Sequence, residues 1–174
     1  MSEKNGKYLR FGAMILTSMT AMFIFMYLNT YALNHVHFSE TRFYMTLIMG
    51  ASMSVIMLLY MIGMYDNKIL NIFILTGSVV VFIAAILLVR SQALVGDRSY
   101  MMGMIPHHSI AILTSERANI DDVRVRELAD EIIRAQRREI KEMEWLIDDI
   151  AANGTAENQA EAETRPVPDF EGEV

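Results

Sequence analysis

Sulfur and imidazole side chains are concentrated in two short stretches of this 174-residue chain. The first stretch runs Met101-Met102-Gly103-Met104-Ile105-Pro106-His107-His108. The second, about one helix later, supplies Gln136, Glu139 and Met143. Thioether and imidazole groups are the donors that soft metal ions prefer. The sequence therefore indicates a binding site for a soft metal ion.

The spacing places several of these residues on one side of a predicted helix. At about 100° per residue, His108 lies in an apolar stripe that also contains Met104 and Met101. His107 is rotated toward the border of the stripe because adjacent helical residues do not share a face. We therefore do not expect His107 and His108 to hold one ion from one helix. The alternative interpretation of His108 is a core histidine bonded to a carbonyl.

A second predicted helix carries a carboxylate within its apolar stripe, where Glu139 lies with Gln136 and Met143. The stripe itself consists of Val125, Leu128, Ala129, Ile132, Ile140, Leu146, Ile147 and Ile150. A buried carboxylate is costly unless a cation, an arginine or a proton accompanies it. The alternative is a polar layer that fixes helix register. Folding of the hairpin would bring Glu139 toward Met104 and His108, and such a mixed environment favours the metal site.

Three long segments carry no Asp, Glu, Lys or Arg, namely residues 11–34, 43–65 and 69–89. Each is long enough to cross a hydrocarbon core of about 30 Å. The sequence therefore predicts an all-α membrane protein with three transmembrane helices, a soluble two-helix hairpin and a disordered acidic tail. We expect a cytoplasmic lead over 1–10, a transmembrane module over 11–90, a metal-binding hairpin over 97–152 and the tail over 153–174.

Capping residues delimit the two helices of the hairpin. Asp97 is the predicted N-cap of a helix that runs to about residue 119, with Pro106 marking a kink or a restart. Asp121 or Asp122 is expected to cap the longer helix, which runs to about Ala152.

The distribution of Lys and Arg predicts the orientation in the membrane. Lys4, Lys7 and Arg10 precede the first span, whereas Arg42 and Lys68 are the single basic residues of the two connecting loops. The N-terminus is therefore expected to be cytoplasmic. An odd number of spans then places the hairpin on the other side, in the periplasm of a bacterium, with the spans in its inner (plasma) membrane. The chain has no cysteine, which is compatible with an oxidising compartment.

Composition argues against several classes of function. The net charge is −6, and the segment 151–174 contains six acidic residues against Arg165 alone. No basic stripe suggests nucleic acid as a partner. A di-iron oxidase needs several facing carboxylates, and Glu139 alone is too few. Because no Ser or Cys nucleophile lies in a recognisable arrangement, we do not expect an enzyme.

Methionines are also frequent in two of the three spans. The second span has Met45, Met49, Met53, Met57, Met61 and Met64, the first has Met14, Met19, Met22 and Met26, and the third has none. One interpretation is a thioether ladder for a soft ion, with His35 and His37 at its outer mouth. The other is that flexible methionines fill the seam between the first two spans. We favour packing, because the spans lack the broken helices and charges typical of a transport path. His35 and His37 remain candidates for metal contact.

Residues 97–150 resemble the bacterial domain-of-unknown-function family 305. The signature of that family is a Met-Ile-x-His-His segment, then Gln-x-x-Glu-Ile and a later Met. In this chain these are Met104-Ile105-Pro106-His107-His108, Gln136-Arg137-Arg138-Glu139-Ile140 and Met143. The resemblance implies a ferritin-like, exported helical domain, and some members are linked to copper or silver binding. Fuller members carry two hairpins, so this chain would supply half of a four-helix bundle.

These considerations lead to one main expectation and one alternative. The main expectation is a membrane-anchored binder of Cu(I), or of silver or another soft transition metal, for sequestration or hand-over. A single hairpin exposes an apolar side, so we expect a homodimer or higher oligomer, in which His107 gains a role at a shared site. Besides the lipid bilayer, a periplasmic copper-handling protein is the expected partner. The alternative is a structural or regulatory membrane protein whose hairpin mediates oligomerisation without metal.

Overall fold

The computed structural model describes residues 3–173, whose regular structure is helical, with two short 3-10 helices at Leu33–His35 and Ile62–Met64 besides the α-helices. The helices are α1 (Glu3–Phe25), α2 (Glu40–Tyr60), α3 (Lys68–Ser91), α4 (Asp97–Arg117), α5 (Val123–Asn153) and α6 (Gln159–Thr164). They form two compact units. The first contains the chain up to Leu28 together with Glu40–Leu94, and the second contains Asn29–Ser39 and the chain from Val95 onwards.

The first unit contains three helices long and apolar enough to cross a membrane. These segments are Gly6–Phe25, Glu40–Tyr60 and Lys68–Ser91, in agreement with the number of spans predicted from charge. Helix α2 packs against both α1 and α3.

The seam between the first two spans has an apolar core with methionines around it. Phe11, Ile15, Leu58 and Tyr65 are buried and form one cluster. The partly buried residues against it include Met19, Met53, Met57 and Met61. These thioethers fill the space between large apolar side chains, in agreement with the packing interpretation of the methionine stripe.

The first helix ends earlier than the charge pattern predicted. The charge-free run continues to Asn34, but α1 ends at Phe25. The guanidinium of Arg42 donates to the carbonyl of Met26 and lies 4.3 Å from the ring centroid of Tyr27. A side-chain donor on this carbonyl replaces the bond that a continuing helix would make. The charge-free run predicted the apolar helix correctly but not the residue at which that helix ends.

A polar clamp joins the N-terminal part of α1 to the start of α3. The Tyr8 hydroxyl donates to Asn71 Oδ1 at 2.8 Å and accepts from the Asn67 backbone N–H at 3.1 Å. The Asn71 amide nitrogen donates to the carbonyl of Tyr65 at 2.9 Å. Asn71 is buried, so its amide satisfies two groups that have little access to water.

Replacement of this amide should destabilise the first unit. We expect Asn71→Ala to lower the free energy of unfolding by about 1–3 kcal/mol, because it removes partners from the Tyr65 carbonyl and the Tyr8 hydroxyl. Thermal unfolding of the full chain in detergent micelles measures the change. Thr76→Val is the control, since the Thr76 hydroxyl bonds only within its own exposed helix turn. Equal effects of the two substitutions would contradict the clamp.

The second unit is built on the hairpin of α4 and α5. Asp122 caps α5 as predicted, with its side chain accepting from the Arg124 backbone N–H. The N-cap of α4 is Gly96, so the prediction of Asp97 was wrong by one residue, and Asp97 lies instead in the first turn. From that position the negative charge of the Asp97 carboxylate still stabilises the N-terminus of the helix through its dipole. Helix α4 continues through Pro106, which is fully buried, and does not restart there.

The segment that joins α1 to α2 lies against α4. The Ser109 hydroxyl, which is fully buried, accepts from the Tyr31 backbone N–H at 2.7 Å and lies 2.9 Å from His35 Nδ1. At Gly103 a Cβ atom would lie 3.2 Å from the Ser39 hydroxyl oxygen, so glycine permits the close approach. The loop between the first two spans is thus part of the hairpin unit, which the sequence did not predict.

The tail contains the short helix α6, and Arg165, which follows it, contacts Asp149 on α5. The prediction that residues 153–174 are disordered in solution stays a prediction.

Docking of the loop should weaken in acid. Burial lowers the pKa of His35 from its ordinary value of 6.5; Glu144 opposes this shift and His37 adds to it. Below about pH 6.5 the undocked imidazole takes up a proton more readily than the docked one, so stability present above that pH is lost as the pH falls.

Hydrogen exchange of the amides in residues 29–39 measures this docking. Corrected for the intrinsic rate, exchange should accelerate as the pH falls below about 6.5. His35→Gln keeps a polar side chain but does not titrate, so its exchange should lose this pH dependence. The same profile in both proteins would show that another group is responsible.

Candidate metal centre

Helix α4 fixes the orientation of a buried histidine. His108 Nδ1 lies 3.0 Å from the backbone carbonyl oxygen of Met104, one turn earlier. A carbonyl oxygen only accepts, so the hydrogen of this bond resides on Nδ1. This is the arrangement expected for a core histidine bonded to a carbonyl. It also leaves Nε2 directed away from its own helix, as in many histidines that ligate metals.

The hairpin brings His108 on α4 into contact with Glu139 on α5. His108 Nε2 lies 2.7 Å from Glu139 Oε2, which joins α4 to α5 across the seam. The histidine side chain is 11% exposed and the glutamate side chain 38%. The two ring nitrogens thus face two oxygen atoms, the Met104 carbonyl oxygen and the Glu139 carboxylate oxygen. Glu139 therefore has the partner that its position in the stripe required.

The thioether side chains flank this pair on the same helices. Met101 is buried, and Met104 is partly buried. Met143, one turn after Glu139 on α5, is also partly buried. It packs with Ile147 against a core of Ile105, Ile112 and Ile140.

Two of the predicted site residues are less closely involved. Gln136 lies on α5 three residues before Glu139 and is partly buried. His107 is exposed, and its ring centroid lies 6.3 Å from that of His108 with the planes at 69°. The two neighbouring imidazoles thus differ in environment, as helix geometry predicted.

The loop histidines make other contacts. His35 bonds to Ser109, whereas His37 Nε2 is buried and has no hydrogen-bond partner among the residues described. Across residues 3–173, no three His, Asp or Glu side chains converge in a group that could hold a metal ion. Sulfur donors lie on the same helix as His108, since Met101 and Met104 precede it by seven and four residues.

Sequence reasoning missed Ser109 and Tyr31, which fasten the loop to α4 next to His108. The signal for Ser109 was a small polar residue in the helix immediately after the two histidines. Tyr31 contributes its backbone N–H, and a main-chain donor leaves no signal in residue type.

Comparisons with known proteins relate the hairpin to a family of domains of unknown function. A family model described as Domain of unknown function (DUF305) matches residues 97–171. The chain is also 32% identical over 147 residues to "Uncharacterized protein L153" of Acanthamoeba polyphaga mimivirus, an alignment that covers 79% of this chain and 93% of that protein. This alignment is longer than the family match, so the similarity extends into the unit that contains the three long apolar helices. No solved structure matches the chain. The chain belongs to the family Domain of unknown function (DUF305), the family that its Met-Ile-Pro-His-His and Gln-Arg-Arg-Glu-Ile segments resemble.

Proposed function

We propose that the hairpin binds a soft monovalent metal ion, Cu(I) or Ag(I), for sequestration or hand-over. The observation that carries the proposal is the contact of His108 Nε2 with the Glu139 carboxylate in the α4–α5 seam. In this proposal His108 supplies the nitrogen ligand through Nε2. Met101, Met104 and Met143 supply sulfur, and Glu139 supplies the compensating charge.

The charge of the pair favours a monovalent ion. A neutral imidazole and a carboxylate carry one negative charge in sum, and a monovalent cation bound between them compensates that charge. A divalent ion would add a positive charge to a half-buried seam, where an uncompensated charge is costly.

The remaining donors favour a soft ion. Thioether sulfur selects Cu(I) among the biological metals, whereas Mg²⁺ and Ca²⁺ require several oxygen ligands. The described residues offer one carboxylate beside His108 and no convergent set of three His, Asp or Glu groups. The hydrogen bond from Nδ1 to the Met104 carbonyl would hold the ring in the tautomer that coordinates through Nε2.

A second candidate function is oligomerisation without metal. It is favoured by large apolar side chains that stay exposed on the first turns of α5, namely Val123, Val125 and Leu128. In that case the pair of His108 and Glu139 acts as the polar layer that fixes helix register. A homodimer built through this face is compatible with both functions.

Titration of the purified full-length protein with Cu(I) in detergent separates the two. We expect a micromolar or tighter Kd that His108→Ala weakens by at least about tenfold, as loss of a ligand does. Met143→Leu, which removes sulfur but keeps a similar volume, should weaken binding as well.

The control is Met102→Leu, which removes a thioether outside the proposed set. It should retain the affinity of the parent. An unchanged oligomeric state in a protein that does not bind Cu(I) would support the second candidate and overturn the first.

We also propose that the hairpin lies in the periplasm, on the outer side of the bacterial inner membrane. Because the chain has no cysteine, single cysteines report the side directly. Asn119→Cys in the exposed turn before α5 should react with a membrane-impermeant maleimide once the outer membrane is permeabilised. Asp66→Cys in the exposed turn before α3 should react only after lysis. The reverse labelling pattern would contradict this orientation.

A further inference from the structure

The C-terminal segment of the chain folds back along α5. Helix α5 ends at Asn153, and Gly154 follows with a φ of 80°, in the region that favours glycine. After α6 the chain returns to α5 at Arg165, whose guanidinium donates to Asp149 at 2.5 Å. These two side chains are 24% and 14% exposed, so the ion pair is a partly buried anchor.

A second anchor lies farther along the same helix. Lys141 Nζ donates to the Glu171 carbonyl at 2.9 Å, and Arg137 donates to the Glu173 carbonyl at 2.7 Å. Four residues advance a helix by about 6 Å. Two residues advance an extended chain by about 6.6 Å and bring its carbonyls back to the same side. The spacing of the two cations thus matches the repeat of an extended peptide.

Gly172 lies between these two contacts and permits the close approach. A Cβ atom at this position would collide with the backbone carbonyl of Arg134. The obstacle is helix backbone, which cannot rotate away as a flexible side chain can. The fit at Gly172 is therefore evidence for a specific docked segment, separate from the two hydrogen bonds.

Opposite net charges of the tail and of this part of α5 also attract the two segments at longer range. The tail is acidic over residues 157–173, whereas α5 presents Arg134, Arg137 and Lys141 at the docking position. The short-range contacts use main-chain carbonyls, which any extended peptide possesses. Arg137 and Lys141 also line a cavity of about 240 Å³ whose other lining residues include Tyr31, His35 and Glu144.

We propose that this face of α5 is a binding site for an extended acidic peptide containing glycine, with residues 170–173 as its resident ligand. The ligand is exchangeable, and the partner that presents an identical segment is a second copy of the chain. Exchange between copies reproduces every contact made within one chain. Displacement of the segment frees Lys141 Nζ and Arg137 Nη1 at the cavity, while the other Nη of Arg137 keeps its ion pair with Glu116.

Binding of a labelled synthetic peptide tests the proposal. The peptide covers residues 165–173, and the receptor is the chain truncated after Thr164 in detergent micelles. We expect saturable binding by fluorescence anisotropy. Binding to the untruncated chain should be at least about tenfold weaker, because a tethered segment competes at a millimolar effective concentration. Receptor variants Arg137→Ala and Lys141→Ala should each weaken binding. Arg124→Ala, which removes an exposed cation near the start of the same helix, should not.

Matched peptides separate the docking geometry from general charge attraction. A peptide with Gly172→Ala should lose most of its affinity, whereas one with Asp169→Ala should lose little, although it has lost a charge. If the truncated chain does not fold, as judged by the fluorescence of Trp145, the full-length Gly172→Val variant replaces it as receptor. Absence of saturable binding, or equal affinity of the two altered peptides, would overturn the proposal.

Discussion

The hairpin unit depends on one contact, the pairing of an imidazole with a carboxylate between α4 and α5. His108 is buried and Glu139 is only partly exposed, so each would carry a desolvation cost without the other. The pair also sets how far one helix can slide along the other, since a shift by one turn would separate the two groups. The surrounding core of Ile105, Ile112 and Ile140 has no such directional preference. The polar contact specifies the register, and apolar burial supplies most of the stability.

The contact between His108 and Glu139 places potential metal ligands in the α4–α5 seam, where packing alone would require only apolar side chains. An imidazole held at Nδ1 by a carbonyl directs Nε2 toward a carboxylate, with thioether side chains one turn away on both helices. Leucine would fill the same volume as Met104 or Met143 without offering a lone pair. Our proposal of a soft monovalent ion rests on this combination of donors and on its single negative charge.

Much of this arrangement was predictable from the sequence. The charge-free runs predicted the three apolar helices, and helical spacing placed Glu139 inside the stripe of α5, opposite His108. The cap at Asp122 was predictable because its carboxylate acts within three residues of itself. In each case the signal was local, or it repeated with the period of a helix.

The features that could not be predicted depend on contacts distant in sequence or on main-chain atoms. Helix α1 ends where Arg42 takes the Met26 carbonyl, sixteen residues away in the chain. The loop between the first two spans lies on α4 through the Tyr31 backbone N–H and a buried serine. The tail contacts α5 through the backbone carbonyls of Glu171 and Glu173. The side-chain types therefore predicted that the tail is acidic, but not where it binds.

X-ray absorption of the full-length protein loaded with Cu(I) tests the central claim most directly, because it counts the atoms bound to the metal. The account predicts a first shell that contains imidazole nitrogen together with thioether sulfur, and loss of the nitrogen contribution in His108→Ala. A shell of oxygen and nitrogen without sulfur, or a spectrum unchanged by His108→Ala, would contradict it.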